Sequence, residues 1–287
     1  MTAPDGHRMQ LVIITGLSGS GKSVALKVLE DSAFYTSDNL PVKLLPELVE
    51  FLRAAGYERV AVSIDARSGD TLCELPGQVR ELKARGVGVR VIFLESKTET
   101  LLKRFSETRR RHPLSVGELT VAECIGRERE LLADIGAESH HLDTSDLNPN
   151  ALRAWIKEFV ESEHTGLTLL FQSFGYKHGI PLDADLVFDV RCLPNPYYDP
   201  VLRPLTGKHR AVVDFLEADA NVKRMHDDIQ KFLADWLPCF DADNRSYVTV
   251  AIGCTGGEHR SVYFVEKLAT HFRADRRVLV RHRELSL

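Results

Sequence analysis

The feature that most constrains this chain is an eight-residue segment rich in glycine and serine near its beginning. Residues 16–23 read GLSGSGKS and follow the spacing G-x-x-x-x-G-K-[ST]. They lie between a short β-branched apolar run, residues 11–15, and a segment with helical apolar spacing, residues 22–30. A strand, a glycine loop and a helix N-terminus together form an anion site, because backbone N–H groups and the positive end of the helix dipole face one point. The segment therefore predicts a site for phosphate groups.

Each position has a role if the phosphates belong to a nucleoside triphosphate. The glycines let successive N–H groups turn toward the phosphates, Lys22 reaches the β- and γ-phosphates, and the Ser23 hydroxyl binds Mg²⁺. We therefore predict that ATP or GTP binds here with Mg²⁺, and that Lys22 and Ser23 take part in the chemistry. The predicted nucleotide-binding residues of the segment are Gly16, Leu17, Ser18, Gly19, Ser20, Gly21, Lys22 and Ser23.

A carboxylate at the end of a neighbouring strand would orient the hydrated metal, and two aspartates qualify. Asp65 follows the predicted strand of residues 59–64, and Asp38 follows that of residues 34–37. We favour Asp65 as the metal or nucleotide ligand, with a helix cap or a turn as the alternative for either residue. A later basic cluster would neutralise a transferred phosphoryl group if it lay in a lid, and is otherwise a solvated helix face. It consists of Arg104, Arg109, Arg110 and Arg111.

Strand and helix patterns alternate along the chain, which predicts an α/β fold with a parallel sheet and helices on both faces. Strands are predicted at residues 11–15, 34–37, 59–64, 89–94, 139–143, 167–173, 186–191, 246–252 and 277–281. Helices are predicted at residues 22–30, 41–54, 74–84, 98–108, 118–135, 149–160, 212–217, 222–236 and 261–272. A polar stretch that ends in glycine, residues 161–166, predicts a linker between two α/β domains, residues 1–160 and 167–287.

Composition excludes several classes of protein. The 287 residues carry a net charge of −4 and are 44% hydrophobic and 27% charged, which is typical of a soluble globular chain and not of a bulk polycation. The five cysteines form no C-x-x-C pair, so a disulfide framework or a structural zinc site has no support. The first ten residues do not resemble a signal peptide, and the apolar runs are too short to cross a bilayer. We expect a cytoplasmic protein.

A second glycine-containing loop, residues 254–261, also lies between a predicted strand and a predicted helix. Its N–H groups and Arg260 predict another anion site. Its spacing C-x₅-R is also that of tyrosine phosphatases, in which the cysteine is a nucleophile, so covalent phosphatase chemistry stays an alternative. Glu258 is expected to point outward, because it would repel a phosphate. The predicted ligand residues are Cys254, Thr255, Gly256, Gly257, His259 and Arg260, with His178 nearby.

The end of the chain is its most basic part. Residues 271–287 contain five arginines against Asp275 and Glu284. This excess predicts an RNA-facing surface, with a plain solvated surface as the alternative. The five residues are Arg273, Arg276, Arg277, Arg281 and Arg283.

Several segments resemble one family of proteins. Together with residues 16–23, they are SDNLP (37–41), SIDAR (63–67), TRRRHPLS (108–115), FGYKHG (174–179), DVRCLPNP (189–196) and IGCTGG with HRS (252–257 and 259–261). In combination they resemble the RapZ/YvcJ family of bacterial nucleotide-binding proteins, over nearly the whole chain. The chain departs from the RNA-binding members at two points. Its end is less rich in Lys and Arg than theirs, and Glu258 stands where a basic residue is usual.

The resemblance implies a P-loop kinase-like N-terminal domain that binds and slowly hydrolyses ATP and GTP, and a C-terminal domain similar to a phosphofructokinase subdomain. It also implies a tetrameric adaptor that senses glucosamine-6-phosphate and presents a small regulatory RNA to the endonuclease RNase E. By the same resemblance, residues 254–260 would form the sugar-phosphate pocket. The alternative function is a small-molecule kinase whose second domain supplies the acceptor. Residues implied to join the guanine-nucleotide site are Asp65, Ala66, Arg67 and Ser68.

Overall fold

The computed structural model divides the chain into two compact units, Met1–Glu163 and His164–Leu287. It describes residues 9–115, 118–137, 139–160, 167–242, 245 and 247–285. The predicted linker, residues 161–166, lies outside the described residues. Within the described ranges, no helix is both long enough and apolar enough to span a membrane.

The first unit is built on a five-stranded sheet in which every pair of neighbouring strands is parallel. In chain order the strands are β1 (Gln10–Gly16), β2 (Tyr35–Ser37), β3 (Arg59–Ser63), β4 (Gly88–Glu95) and β5 (His140–Asp143). Their order in space is β2-β3-β1-β4-β5, so β1 is central. The carboxyl ends of parallel strands meet at one edge, and at this edge the chain leaves β1 into the glycine segment.

Helices cover both faces of this sheet, as the alternating pattern predicts. They are α1 (Lys22–Asp31), α2 (Leu45–Ala54), α3 (Leu75–Ala84), α4 (Thr98–Thr108), α5 (Val121–Leu131), α6 (Ala133–Ala137) and α7 (Pro149–Val160). Leu11 and Ile13 of β1 pack into a core shared with α2 to α5, while α1 and α7 pack against each other and α1 contacts β1 and β3. Both faces of β1 are therefore buried, which explains its unbroken apolar sequence.

Several helix boundaries differ from the sequence predictions, and for two of them the structure gives the reason. Residues 118–135 do not form one helix, because Thr120 caps α5 and exchanges hydrogen bonds with Glu123 in a capping box. That helix ends at Leu131, before the short α6. Residues 41–54 begin with a 3₁₀ turn, Val42–Leu44, before α2 starts with a proline in its first turn.

The second unit is a four-stranded parallel sheet in the order β7-β8-β6-β9. Its strands are β6 (Thr168–Gly175), β7 (Leu186–Asp189), β8 (Tyr247–Cys254) and β9 (Arg277–His282), and its helices are α8 (Arg210–Glu217), α9 (Ala220–Ala242) and α10 (Arg260–Phe272). The three helices share a core with the sheet. The predicted strand of residues 246–252 is too short, because pairing with β6 continues to Cys254 opposite Gly175. Cys254 therefore belongs to the strand end.

Candidate functional site

The glycine segment leaves β1 in a conformation that glycine alone accommodates. Gly16 has a φ of 122°, and a Cβ there would lie 2.1 Å from the carbonyl oxygen of Leu94 on β4. Gly21 is the N-cap of α1 with a φ of 109°. A Cβ at Gly21 would lie 2.7 Å from the Leu152 side chain. The close approach of β4 thus explains Gly16, and the left-handed backbone and the contact with Leu152 of α7 explain Gly21.

This conformation leaves a row of donors without acceptors. Within the described part of the chain, the N–H groups of Gly19, Gly21, Lys22 and Ser23 donate no hydrogen bond. The last two belong to the first turn of α1, where N–H groups have no intrahelical partner and the helix dipole is positive. Four unpaired donors on one loop form a cradle for an anion. We refer to residues 18–23 as the phosphate cradle.

Lys22 folds back over the loop that precedes it. Its ammonium group donates to the carbonyl oxygens of Gly16 and Leu17 at 2.6 and 3.0 Å. Burial lowers the pKa of Lys22 below its ordinary value, and the nearby carboxylates of Glu128 and Asp65 oppose that shift. An incoming phosphate would exchange two neutral acceptors for a charged one, which strengthens the hydrogen bond.

A cleft of about 630 Å³ opens at the phosphate cradle. Its volume is in the range of small-molecule and cofactor sites, roughly 300–1,000 Å³. The apolar part of its wall includes Phe105, Leu147, Pro149 and Leu152. Gly16, Leu17, Ala66 and Ser68 do not line this cleft, and the Leu17 side chain is part of the hydrophobic core. The predicted nucleotide residues that line it are Ser18, Gly19, Ser20, Gly21, Lys22, Ser23, Asp65 and Arg67.

Both candidate aspartates line the cleft, but they have different partners. Asp65 is buried and accepts from the backbone N–H and the guanidinium of Arg67, at 3.0 and 3.1 Å. The same guanidinium donates to the side chain of Asn39 at 2.6 Å, which connects the ends of β3 and β2. Among the described residues, Asp38 accepts a hydrogen bond from the neighbouring N–H of Asn39 alone. The position of Asn39 in this network was not anticipated from the sequence.

Three contacts brace the phosphate cradle from distant parts of the chain. Arg104 on α4 donates to the Gly19 carbonyl at 3.0 Å and to the Thr144 carbonyl at 2.6 Å. The Thr144 hydroxyl donates to the Ser20 carbonyl at 2.9 Å. Arg104 therefore supports the loop and also lines the cleft, and Arg110 and Arg111, which follow the end of α4, line the same cleft. Three of the four arginines of the predicted basic cluster thus line the cleft.

The third brace is a carboxylate that sequence reasoning missed. Glu128 of α5 accepts from the backbone N–H and the hydroxyl of Ser18, at 2.8 and 2.7 Å. Its Oε2 atom also lies 3.1 Å from Nε2 of His112. Burial alone would raise the pKa of the Glu128 carboxyl, but the hydrogen bonds from His112 and Ser18 and the charge of Lys22 outweigh it and leave the pKa lowered. No sequence motif connects two residues 110 positions apart.

The second loop begins at Cys254, which is buried. The Gly257 N–H donates to its sulfur, and the Ser261 hydroxyl lies at the same distance of 3.2 Å. Gly257 has a φ of 82°, and a Cβ there would lie 2.4 Å from a carboxylate oxygen of Glu284. Within the described residues, the N–H groups of Gly256 and Glu258 donate no hydrogen bond. The loop can therefore accept an anion through its backbone.

Arg260 does not extend toward the open side of this loop. It is buried, and its guanidinium donates to the carbonyl oxygens of Arg191 and Leu193 at 2.9 and 3.0 Å, and to the Thr255 hydroxyl at 3.3 Å. In a phosphatase the corresponding arginine clamps the phosphate. Here it connects the loop to the residues that follow β7, so the geometry does not favour the phosphatase alternative.

The remaining predicted ligands divide between the loop and its support. His259 is buried, with Nε2 3.2 Å from the Arg203 carbonyl oxygen. His178 is exposed in a 3₁₀ turn, Tyr176–His178, that adjoins the loop through the Lys177 N–H and the Thr255 carbonyl. Glu258 is partly exposed and lies 3.8 Å from the Lys177 ammonium. His178 thus lies beside the loop, and His259 supports it from behind.

The five arginines near the chain end do not form one free basic surface. Arg276 pairs with Asp241 at 2.7 Å, and Arg281 pairs with Asp183 at 3.4 Å. Only 10% of the Arg281 side chain is exposed, which differs from the prediction that it faces RNA. Arg273 is exposed, and Arg277 and Arg283 are partly buried.

Both units match known protein families. The family model of a RapZ-like N-terminal domain matches residues 9–164, and the model of a RapZ C-terminal domain matches residues 167–286. A nucleotide-binding protein of Azoarcus sp. strain BH72 is 61% identical over 277 residues, which are 96% of this chain and 94% of that protein. A nucleotide-binding protein of Methylobacillus flagellatus is also 61% identical, over 96% of this chain and 99% of its own length.

Among solved structures, the chain is similar to shikimate kinase from Bacteroides thetaiotaomicron. The identity is 16%, the TM-score is 0.39, and the match covers 54% of this chain and 99% of that enzyme. A gluconokinase from Sinorhizobium meliloti matches 54% of this chain and 95% of its own, at 18% identity and a TM-score of 0.34.

Proposed function

This chain belongs to the RapZ family, and from that premise we propose that it binds ATP or GTP at the phosphate cradle and hydrolyses it slowly, as part of a regulatory role. The observation that carries the proposal is the convergence of four unpaired N–H groups with the Lys22 ammonium at one cleft. The apolar wall of the same cleft offers a surface for a base. The cleft therefore offers N–H groups and an ammonium group for the phosphates, and an apolar wall for the base.

The residues around the phosphate cradle suit Mg²⁺. Oxygen groups are its preferred ligands, and it keeps several waters and phosphate oxygens when it binds with a nucleotide. Ser23 and Asp65 would hold it, with Asp38 as the alternative carboxylate. The Ser20 and Ser63 hydroxyl oxygens are buried at the cleft wall without a partner among the described atoms. These two oxygens are further candidates to bind the water shell of the ion. When bound, the metal would neutralise charge on the β- and γ-phosphates.

Replacement of Lys22 tests the proposal directly. We expect Lys22→Ala to lower ATP and GTP hydrolysis by a factor of at least about 100, because the ammonium group that faces the developing charge is lost. The matched control is Lys27→Ala, which removes an exposed lysine from the same helix. Phosphate release and thermal unfolding are measured for both variants. Turnover retained in a folded Lys22→Ala protein would refute the proposal.

We further propose that the second unit senses an amino-sugar phosphate, glucosamine-6-phosphate, at the loop of residues 254–260. The unpaired N–H groups of Gly256 and Glu258 support a phosphate site, and the Glu258 carboxylate, 3.8 Å from the Lys177 ammonium, offers a partner for an ammonium group. Isothermal titration of the full chain with glucosamine-6-phosphate, glucose-6-phosphate and glucosamine separates the contribution of the phosphate group to binding from that of the ammonium group. Equal heats from all three sugars, or none, would contradict the proposal.

By the same family premise, we propose that the chain acts in the cytoplasm as a homotetrameric adaptor that presents a small regulatory RNA to RNase E. Of the five predicted arginines, Arg273 is exposed, whereas Arg276 and Arg281 form ion pairs with Asp241 and Asp183. A filter-binding titration with salt measures the phosphates contacted, because log affinity falls with log salt in proportion to their number. A flat slope would exclude an RNA contact by these residues, and sedimentation tests the tetramer.

A small-molecule kinase is the second candidate, and one observation favours it. Asp38 and Arg67 line the same cleft as the phosphate cradle, where a base and a cation would activate and bind an acceptor. A kinase would consume ATP in proportion to an added acceptor. Turnover that is independent of sugars and sugar phosphates would favour the regulatory function instead.

A further inference from the structure

One buried acid beneath the phosphate cradle has no part in the chemistry proposed above. The carboxylate of Glu128 is fully buried and accepts hydrogen bonds from the Ser18 backbone, the Ser18 hydroxyl and the His112 ring. Loss of any of these donors would leave a buried charge poorly satisfied, which is costly. The three donors are therefore held firmly in place, although they come from separate segments of the chain.

The hydrogen-bond pattern also assigns the proton of the His112 ring. The backbone N–H of Leu114 donates to Nδ1 at 3.2 Å, so Nδ1 acts as an acceptor. The ring proton then lies on Nε2, which donates it to Glu128. His112 is fully buried and its ring packs on Phe105 of α4, with centroids 5.2 Å apart. Both ring nitrogens and the ring face are thus engaged.

The residues immediately before His112 face the cleft. Arg109 ends α4 in a left-handed conformation with a φ of 50°, and Arg110 and Arg111 line the cleft beside the phosphate cradle. No hydrogen bond or ion pair involves either of the two guanidinium groups in the parts of the chain that are described. Their position is therefore set by the short segment between the end of α4 and the buried His112 ring.

We propose that Glu128 is a positioning residue for nucleotide hydrolysis. Through His112 it holds Arg110 and Arg111 at the cleft, and through Ser18 it keeps these arginines in register with the phosphate cradle. This inference rests on the proposed nucleotide function and adds the device that orients its cations. Two cations that meet the transferred phosphoryl group stabilise its developing charge only if their position is fixed.

Glu128→Gln separates the hydrogen bonds of this residue from its charge. A glutamine oxygen in the place of Oε2 still accepts from the Ser18 N–H and from His112, and its amide group can donate to the Ser18 hydroxyl, which rotates to accept. Because these bonds are kept but lose the charge that strengthens them, we expect kcat to fall by a smaller factor than in a His112→Phe variant. Nucleotide should bind at least as tightly, because a negative charge near the phosphates is removed.

His112→Phe instead breaks the link between Glu128 and the segment that carries Arg110 and Arg111. It keeps a ring against Phe105 but removes the donor to Glu128. The matched control is His141→Phe in the same unit, because His141 also stacks on a phenylalanine, Phe93, and lies 3.7 Å from a glutamate, Glu95, but does not line the cleft. We expect His112→Phe to lower kcat by roughly 10- to 100-fold, the effect of a small misplacement of charged groups. The control should leave kcat unchanged.

The decisive measurements are kcat, the Kd of a non-hydrolysable nucleotide analogue, and tryptic cleavage after Arg109, Arg110 and Arg111 in the full chain. A positioning role predicts that His112→Phe lowers kcat, leaves the Kd unchanged and speeds cleavage at these arginines, because release of the segment requires local opening. Tryptic cleavage of the chain does not depend on its hydrolysis of nucleotide. It therefore reports on the segment even in a protein without turnover.

Two results would overturn the inference. One is a His112→Phe protein with normal kcat and normal cleavage at residues 109–111. The other is a parallel loss of analogue binding and turnover in both His112→Phe and Glu128→Gln, which would indicate a merely structural role. An unmodified chain that neither binds nor hydrolyses nucleotide would refute the proposed function itself, and the inference would fail with it.

Discussion

Gly16 leads from β1 into the phosphate cradle, and its backbone is closely confined by the neighbouring strand. Its backbone conformation is left-handed, and the space that a side chain would need is occupied by the backbone of Leu94 on the adjacent strand β4. Backbone atoms of a central strand cannot move aside as a flexible side chain can. Two separate penalties, an unfavourable φ and a clash, therefore act at the same position.

A pair of substitutions separates these penalties. Gly56 also has a left-handed φ, of 83°, but nothing lies within 4 Å of an added Cβ. We expect Gly56→Ala to cost about 1–2 kcal/mol of unfolding free energy from the backbone conformation alone. Gly16→Ala should cost roughly 1–3 kcal/mol more, because the added atom meets backbone. Urea unfolding of both variants measures the difference, and equal losses would show that β4 does not confine Gly16.

At the scale of elements, the phosphate cradle is supported by helices that are distant in sequence. Arg104 of α4 bonds the loop at Gly19 and the end of β5 at Thr144, so one guanidinium holds two elements together. α5 supplies the carboxylate that holds Ser18. The donors of the loop are therefore fixed before a ligand arrives, which lowers the entropy lost on binding.

Removal of the α4 contact tests this support. We expect Arg104→Met to weaken nucleotide binding by roughly tenfold, since charged hydrogen bonds that order the loop contribute about 1.5–3 kcal/mol. Methionine keeps the unbranched apolar stem of the side chain and removes the guanidinium group. The control is Lys103→Met, one residue earlier and exposed on the same helix. Titration of a fluorescent nucleotide analogue measures both, and equal affinities would mean that the loop is rigid without α4.

At the scale of the whole molecule, the chain contains two separate hydrophobic cores, one in each unit. Each unit has a parallel sheet, and in each a strand, a glycine-containing loop and a helix N-terminus follow one another. β1 leads through Gly16 into α1, and β8 leads through Cys254 into α10. A ligand that binds one folded unit stabilises that unit by mass action.

Hydrogen exchange of the full chain distinguishes the two sites. We expect a nucleotide analogue with Mg²⁺ to slow exchange at the phosphate cradle, residues 18–23, and glucosamine-6-phosphate to slow it at residues 254–260. Among the described residues, the N–H groups of Gly19, Gly21, Lys22 and Ser23 in the first loop, and of Gly256 and Glu258 in the second, donate no hydrogen bond and can bond a ligand. Each ligand serves as the control for the other. Protection by both ligands at the same loop would contradict two separate sites.

Much of this architecture follows from local sequence. The glycine spacing of residues 16–23 and the alternation of strands with helices predict the phosphate cradle and the parallel sheet, because both depend on backbone preferences and on the period of apolar residues. The observed β1 and α1 agree with that prediction, and α4 and α7 have the predicted bounds. Asp38 and Asp65 line one cleft because both follow strands on the same side of β1.

The partners of individual charges were decided only by the tertiary structure. The sequence predicts Arg260 as a ligand and Arg281 as an exposed residue, but backbone carbonyls bind the first and Asp183 the second. Glu128 has no local signature, and its position under Ser18 follows from the packing of α5 against the sheet. Backbone conformation depends on neighbours along the chain, whereas the pairing of a buried charge depends on groups that folding brings together from distant segments.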